Sequence, residues 1–161
     1  MKDAPLPYAP RIPVADSYVA AIGRAAYNFA YLEWSIVWLG ETLQPGFINT
    51  VGSLTAGQIA RQFESFAASV HGADSDNLRL KTLAASFLDL VHDRNNLLHG
   101  NPFTGDSGEQ RLLYNGKSGR RDWSAEDIIE AARAFENASI EANELLHGGR
   151  LEQYRRSTGQ A

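Results

Sequence analysis

Hydrophobic residues return along the stretch 16–43 with gaps that alternate between four and three: Tyr18, Ile22, Ala25, Phe29, Leu32, Ile36, Leu39 and Leu43. That rhythm is one face of a long helix. Beside it Tyr27, Tyr31, Trp34 and Trp38 repeat the same spacing, so the helix is apolar around most of its circumference. Helices of this kind are usually covered on several sides. Either the aromatics fill the core of one chain, or a second chain covers part of them.

The pattern then predicts three shorter helices. Gln44-Pro45-Gly46 ends the first, and a loop follows until Thr55 offers an N-cap. Ile59, Phe63, Phe66 and Val70 mark a second helix closed by His71-Gly72. A third begins near Asp74 to Asp76 on the seam Leu80, Leu83, Phe87 and Leu90. Beyond Gly100, NPFTGDSGEQ reads as loop, and RLLYNGKSGRRDW carries the Asn-Gly signal of a tight hairpin between short strands. Ser124 and Asp127 form a variant capping box, and Ile128, Ala131, Phe135, Ala138, Ala142 and Leu145 carry a fourth helix to Gly148-Gly149. The expected fold is all-α, an antiparallel four-helix bundle with a small β-hairpin inserted between helices three and four. Residues 1–15 form a proline-rich leader, 16–149 a single domain, and 150–161 a short, partly basic tail with Arg150, Arg155 and Arg156.

Composition narrows the chemistry. A chain of 161 residues can bury a sizeable core as one domain. It has no cysteine, which removes disulfides, thiol nucleophiles and cysteine-bound zinc. No segment has the length of a signal-peptide core or a membrane span, so the expectation is a soluble, cytoplasmic protein without a membrane partner. A net charge of -4 argues against nonspecific coating of polyanions and confines any nucleic-acid contact to a local patch. Phosphate-loop, dinucleotide, nucleophile-elbow and HExxH motifs are absent from the sequence.

The seam of the third helix ends oddly. Continuing four residues from Leu90 lands on Arg94, and then Leu97, so a charge falls where the core pattern asks for an apolar side chain. A neighbouring stripe, Ala85, Leu88, His92, Asn95 and His99, begins apolar and becomes polar. In an ideal helix Arg94 lies about 100° from Asn95 and about 140° from His99, so the three can line a cleft without sharing one face. A two-fold partner presenting its own copy is the economical way to complete such a cleft.

Arg94-Asn95-Asn96-Leu97-Leu98-His99 resembles the signature of HEPN-domain proteins, an arginine followed by a polar residue and then a histidine late in a helix of a small all-α bundle. The resemblance covers residues 16 to 148. It implies a metal-independent endoribonuclease of bacterial toxin or defence type, needing no cofactor, acting as a homodimer with both motifs facing across the interface. Arg94 would hold phosphate through its planar fork, and His99 would move protons. Asn95 would orient the imidazole or bind an RNA oxygen, and His92 is a second proton carrier or an interface histidine. The family also includes members that dimerise or bind nucleotides without cutting, so an antitoxin, or a partner of a nucleotidyltransferase-like protein, is the alternative.

Plainer roles exist for the same residues. Arg94 can be held by Glu33, midway along the first helix, as a buried structural ion pair. His99-Gly100 can be an ordinary helix C-terminus. Arg111, Lys117, Arg120 and Arg121, with Tyr114 and Trp123 between them, suit phosphates and stacked bases, although Glu109 and Asp122 dilute the patch. A dimetal site built from Glu33, Glu64, Asp89 with His92, and Glu144 with His147 is a remote alternative; its order along the chain is wrong and the reading carries no metal.

Overall fold

The computed structural model describes residues 11–72, 74–117 and 119–148. Among them the chain forms α1 (Asp16–Leu43), two 3-10 turns (Phe47–Asn49 and Val51–Ser53), α2 (Ala56–Ser69), α3 (Ser75–Leu98), β1 (Asn101–Thr104), β2 (Gln110–Gly116), β3 (Gly119–Trp123) and α4 (Ala125–His147). The strands make one antiparallel sheet in the order β1-β2-β3. Arg150, Arg155 and Arg156 lie outside the described residues, as does the leader up to residue 10. No described helix is long and apolar enough to cross a membrane.

The helix boundaries follow local chemistry. Thr55 Oγ1 accepts from the Gln58 N–H, and Gln58 Oε1 accepts in return from the Thr55 N–H, so two orphan donors at the start of α2 are satisfied. Asp74 does the same for α3 by accepting from the N–H groups of Asp76 and Asn77. At α4 the shorter Asp127 replaces the usual glutamate and still reaches the Ser124 N–H at 2.8 Å. These hydrogen bonds from Ser124 hold the Asp127 carboxyl below the usual carboxylate range.

The expectation of an all-α antiparallel bundle with a two-stranded hairpin is overturned in two respects. First, Asn101–Thr104, read as loop, is a strand paired with β2 in the register Asn101 to Leu113 and Thr104 to Gln110. Its proline is tolerable because β1 is an edge strand, where a missing N–H costs no ladder bond on the open side. The turn that returns to β2 has Gly108 at φ +84°, and Glu109 accepts from the Ser107 N–H. Leu112 and Trp123, paired across β2 and β3, are buried, so the sheet closes one end of the helical core. The hairpin turn also falls beyond Asn115-Gly116, with Gly119 at φ +110° supplying the left-handed residue.

Second, helix directions depart from simple up-down alternation. Tyr18 donates to the Trp123 carbonyl just before α4, Asn28 donates to the Ala132 carbonyl, and Asn143 donates to Tyr31 Oη. Contacts that climb both helices together make α1 and α4 parallel. Arg79 near the start of α3 binds Glu141 and Glu144 near the end of α4, while Asp93 near the end of α3 binds Arg121 just before α4. α3 therefore runs against both. The sheet lies where α3 ends and α4 begins.

One core joins these elements, centred on Phe29, which packs edge to face on Phe135 and stacks near Phe87. The first apolar seam of α1 is buried except for Ile22, which is half-buried. The second stripe is not: Tyr27, Tyr31, Trp34 and Trp38 are exposed, so they do not fill the core of this chain.

Because the Ser124 cap satisfies orphan donors at the start of α4, Ser124→Ala should cost about 1 kcal/mol of stability. Urea unfolding monitored by circular dichroism measures this as a lower midpoint at unchanged slope.

Candidate functional site

α3 delivers the motif to the end of the core. Arg94 continues the apolar seam and points at α1, where its guanidinium carbon stands 4.8 Å from the centroid of the Phe29 ring. Its Nη1 donates to Asn95 Oδ1 at 2.7 Å. Phe29 is locked between Phe87 and Phe135, so the cation rests on a fixed platform. A cation over an aromatic face gains about 0.5 to 2 kcal/mol, whereas full burial of an ion costs several. The geometry respects that balance: Arg94 is only half-buried.

Glu33 does not close the charge. Among the described residues no ion pair joins Arg94 to a carboxylate, although the two are near enough to feel each other. Burial raises the Glu33 carboxyl above its usual range, and the nearby Arg94 charge works against that rise. The ion pair with Glu33, the plainer role the sequence allows Arg94, is not formed among the described residues. Four of the five guanidinium N–H donors of Arg94 are left for another acceptor, since the contact with Asn95 uses one.

His99 is the C-cap of α3. Its N–H donates to the carbonyl of Asn95 at 3.0 Å, and its side chain is exposed. Gly100 follows because space demands it: a Cβ there would stand 2.9 Å from the Leu112 Cβ and 3.2 Å from the Leu97 carbonyl oxygen. No hydrogen bond joins Arg94 to His99 within the chain. One points inward over Phe29 and the other outward at the helix end. Asn95 bridges them in the chain, through its side chain to Arg94 and its carbonyl to His99. His92 is exposed on the stripe that includes Asn95 and His99.

The basic hairpin is dispersed by sheet geometry. Residues paired across antiparallel strands share a face, so Arg111 and Arg120 lie on one face and Arg121 on the other. Arg111 donates to Asp122 at 2.8 Å and reaches Glu109; Arg121 donates to Asp93 at 2.8 Å and lies 4.0 Å over the Trp123 ring. Trp123 is fully buried and unavailable to a base. Lys117 and Arg120 are exposed. Burial raises the Asp93 carboxyl while Arg121 pulls it down, so this pair fastens the sheet to α3 beside the motif.

Two features escaped sequence reasoning. The Phe29 platform is invisible locally, although Phe29 and Arg94 both sit in core phase on their helices and had to meet something apolar. The Arg121–Asp93 pair joins residues 28 apart, with only the charges themselves as signal. The carboxylates and histidines considered for two metals stay apart: Glu144 bonds Arg79, Glu64, Asp89 and His147 are exposed, and no three such residues gather among those described. Comparison of the chain with protein-family models, with curated proteins and with solved structures returned no match.

A carboxyl whose pKa is raised in the folded state makes folding less favourable as pH rises through that value. Glu33→Gln should therefore raise the melting temperature at pH 7. The gain should shrink on acidification and vanish below the ordinary value of 4.5. Melts of both proteins between pH 3.5 and 8 measure it; a gain independent of pH would assign the effect to packing instead.

Proposed function

We propose that the chain is a metal-independent endoribonuclease of HEPN type, in which Arg94 binds the scissile phosphate and His99 moves protons. The observation that carries this reading is the state of Arg94: a guanidinium held on the Phe29 ring, half-buried, and in no ion pair with a carboxylate among the described residues. A charge kept unpaired at a fixed point is suited to an external anion, and its planar fork matches phosphate.

The chemistry follows from RNA itself. The 2′-hydroxyl gives up its proton to a base, its oxygen bonds to phosphorus, and the bond to the 5′-oxygen breaks as that oxygen takes a proton. The products are a 2′,3′-cyclic phosphate and a free 5′-hydroxyl. His99, exposed and at the end of α3, fits either proton transfer, and the copy on a second chain supplies the other. Arg94 stabilises the charge that gathers on the phosphate oxygens as bonding changes. Asn95, fixed by Arg94, is placed to hold an RNA oxygen. On this reading the protein is a homodimer of toxin or defence type, at work in the cytoplasm and controlled by an antitoxin or neighbouring protein.

A second reading has its own support. Arg111 and Arg121 are tied to carboxylates, and the net charge is -4, so little of the surface favours a long polyanion. That favours a dimerisation or nucleotide-binding module that does not cut RNA.

Purified protein in EDTA, given a pool of labelled RNAs, separates the two. Cleavage should leave cyclic phosphate ends and fall about 100-fold to 10,000-fold in His99→Ala, whose exposed side chain can be removed with little effect on folding. Cleavage by His99→Ala at the wild-type rate would overturn the assignment, and no cleavage by the wild type would favour the non-cutting module.

A further inference from the structure

α1 and α4 run side by side in one direction, and a groove opens between their C-terminal ends. Its volume of about 390 Å³ falls within the range of roughly 300 to 1,000 Å³ that small-molecule sites occupy. Tyr31, Trp34 and Trp38 of α1 line it, and each is between 43% and 52% exposed, so the core does not use up these rings. The two indoles stand at 82° to each other with centroids 6.0 Å apart, which makes a corner with two aromatic walls. Tyr31 lies one turn before them, and its Oη accepts from the Asn143 amide at 3.3 Å, so the third ring is fastened to α4.

The electrostatics of the lining have one sign. Ser35 and Thr42 donate their hydroxyl protons to the carbonyls of Tyr31 and Trp38, one turn back, at 3.0 Å each. Their lone pairs are what remains for a ligand. Thr42 lies one position before the end of α1, and Leu146 and His147 end α4, so the negative ends of two parallel helix dipoles converge on the groove. The last turn of α1 holds no basic residue, and neither lysine nor arginine lines the groove. Aromatic faces, hydroxyl lone pairs and helix C-termini all attract positive charge.

We propose that this groove binds a small quaternary ammonium compound, with its methyl groups in the corner between Trp34 and Trp38 and its charge over the ring faces. An ammonium with N–H donors is strongly hydrated and has to lose that water on entry. A quaternary centre has no such donors, and its methyl groups suit the indoles and Leu146. A neutral ring gains nothing from the two helix ends, and an anion is repelled by them. The inference stands on α1 and α4 and depends neither on RNA cleavage nor on a second chain.

Choline and 3,3-dimethylbutan-1-ol, in which carbon replaces the nitrogen, differ in charge and hardly in shape, so together they isolate the cation. Tryptophan fluorescence of the full chain reads both, because Trp34 and Trp38 line the groove while Trp123, the third tryptophan, is fully buried. His147 is the one lining side chain able to become a cation, so the titrations run at about pH 8, with sodium chloride of equal ionic strength as the control. The expected result is a saturable change with choline, half complete at about 1 mM, and binding of the neutral alcohol at least about 10-fold weaker. Trp34→Leu and Trp38→Leu, at exposed positions, should keep the helical content and each weaken choline binding at least about 10-fold. Vesicles of phosphatidylcholine should leave the protein in solution, which separates the free compound from a lipid headgroup. The proposal is overturned by any of four results: no saturable change with choline up to about 50 mM, equal binding of the alcohol and choline, unchanged choline binding in both variants, or sedimentation with the vesicles.

Discussion

A guanidinium laid on the face of Phe29 is the constraint around which this end of the molecule is organised. The apolar seam of α3 runs into Arg94, so the core cannot continue past that turn without burying a charge. Stacking on Phe29 recovers only about 0.5 to 2 kcal/mol, too little to offset complete desolvation. The arginine therefore stays at the edge of the core, half in water, with Asn95 as its neighbour and Glu33 too far for an ion pair. Below it the sheet closes the core with Leu112 and Trp123, and the Arg121 to Asp93 bond fastens that sheet to α3.

Helix spans were legible because their causes are local. Threonine, aspartate and serine caps mark starts, the repeat of apolar residues marks faces, and α1 begins and ends where the pattern says. Strand β1 was not legible, since four residues containing a proline have no periodicity to speak of and gain their order only from β2. Helix directions were equally hidden, as they depend on which hydrogen bonds form between residues about a hundred positions apart, Tyr18 with Trp123 and Asn28 with Ala132. The site was legible in part. The phase of Arg94 announced a charge at the core, but a sequence cannot say whether a carboxylate answers it. Likewise, alternation along β2 and β3 separates arginines that are near in sequence.

The two unusual surfaces of the chain have complementary characters. One is a positive point at the end of a core, fixed and in no ion pair among the described residues; the other is an aromatic ridge on the opposite flank of α1, exposed and covered only in part by α4. A small domain rarely leaves four large aromatics on one exposed stripe without a partner. Both surfaces hang on α1, which supplies the platform for the arginine from one side and the ridge from the other.

On the proposed reading Arg94 is kept for an external anion and not for the fold. Replacing it with methionine, which keeps the stem on Phe29 and removes the charge, tests this directly. Melting temperatures of the wild type and Arg94→Met, with and without a 2′-O-methyl RNA oligonucleotide that cannot be cleaved, are the measurement. The account predicts that Arg94→Met melts no lower than the wild type, because an apolar side chain replaces a partly desolvated ion, and that only the wild type is stabilised by the oligonucleotide. A variant that melts far lower, or that is stabilised by the oligonucleotide as much as the wild type, would contradict it.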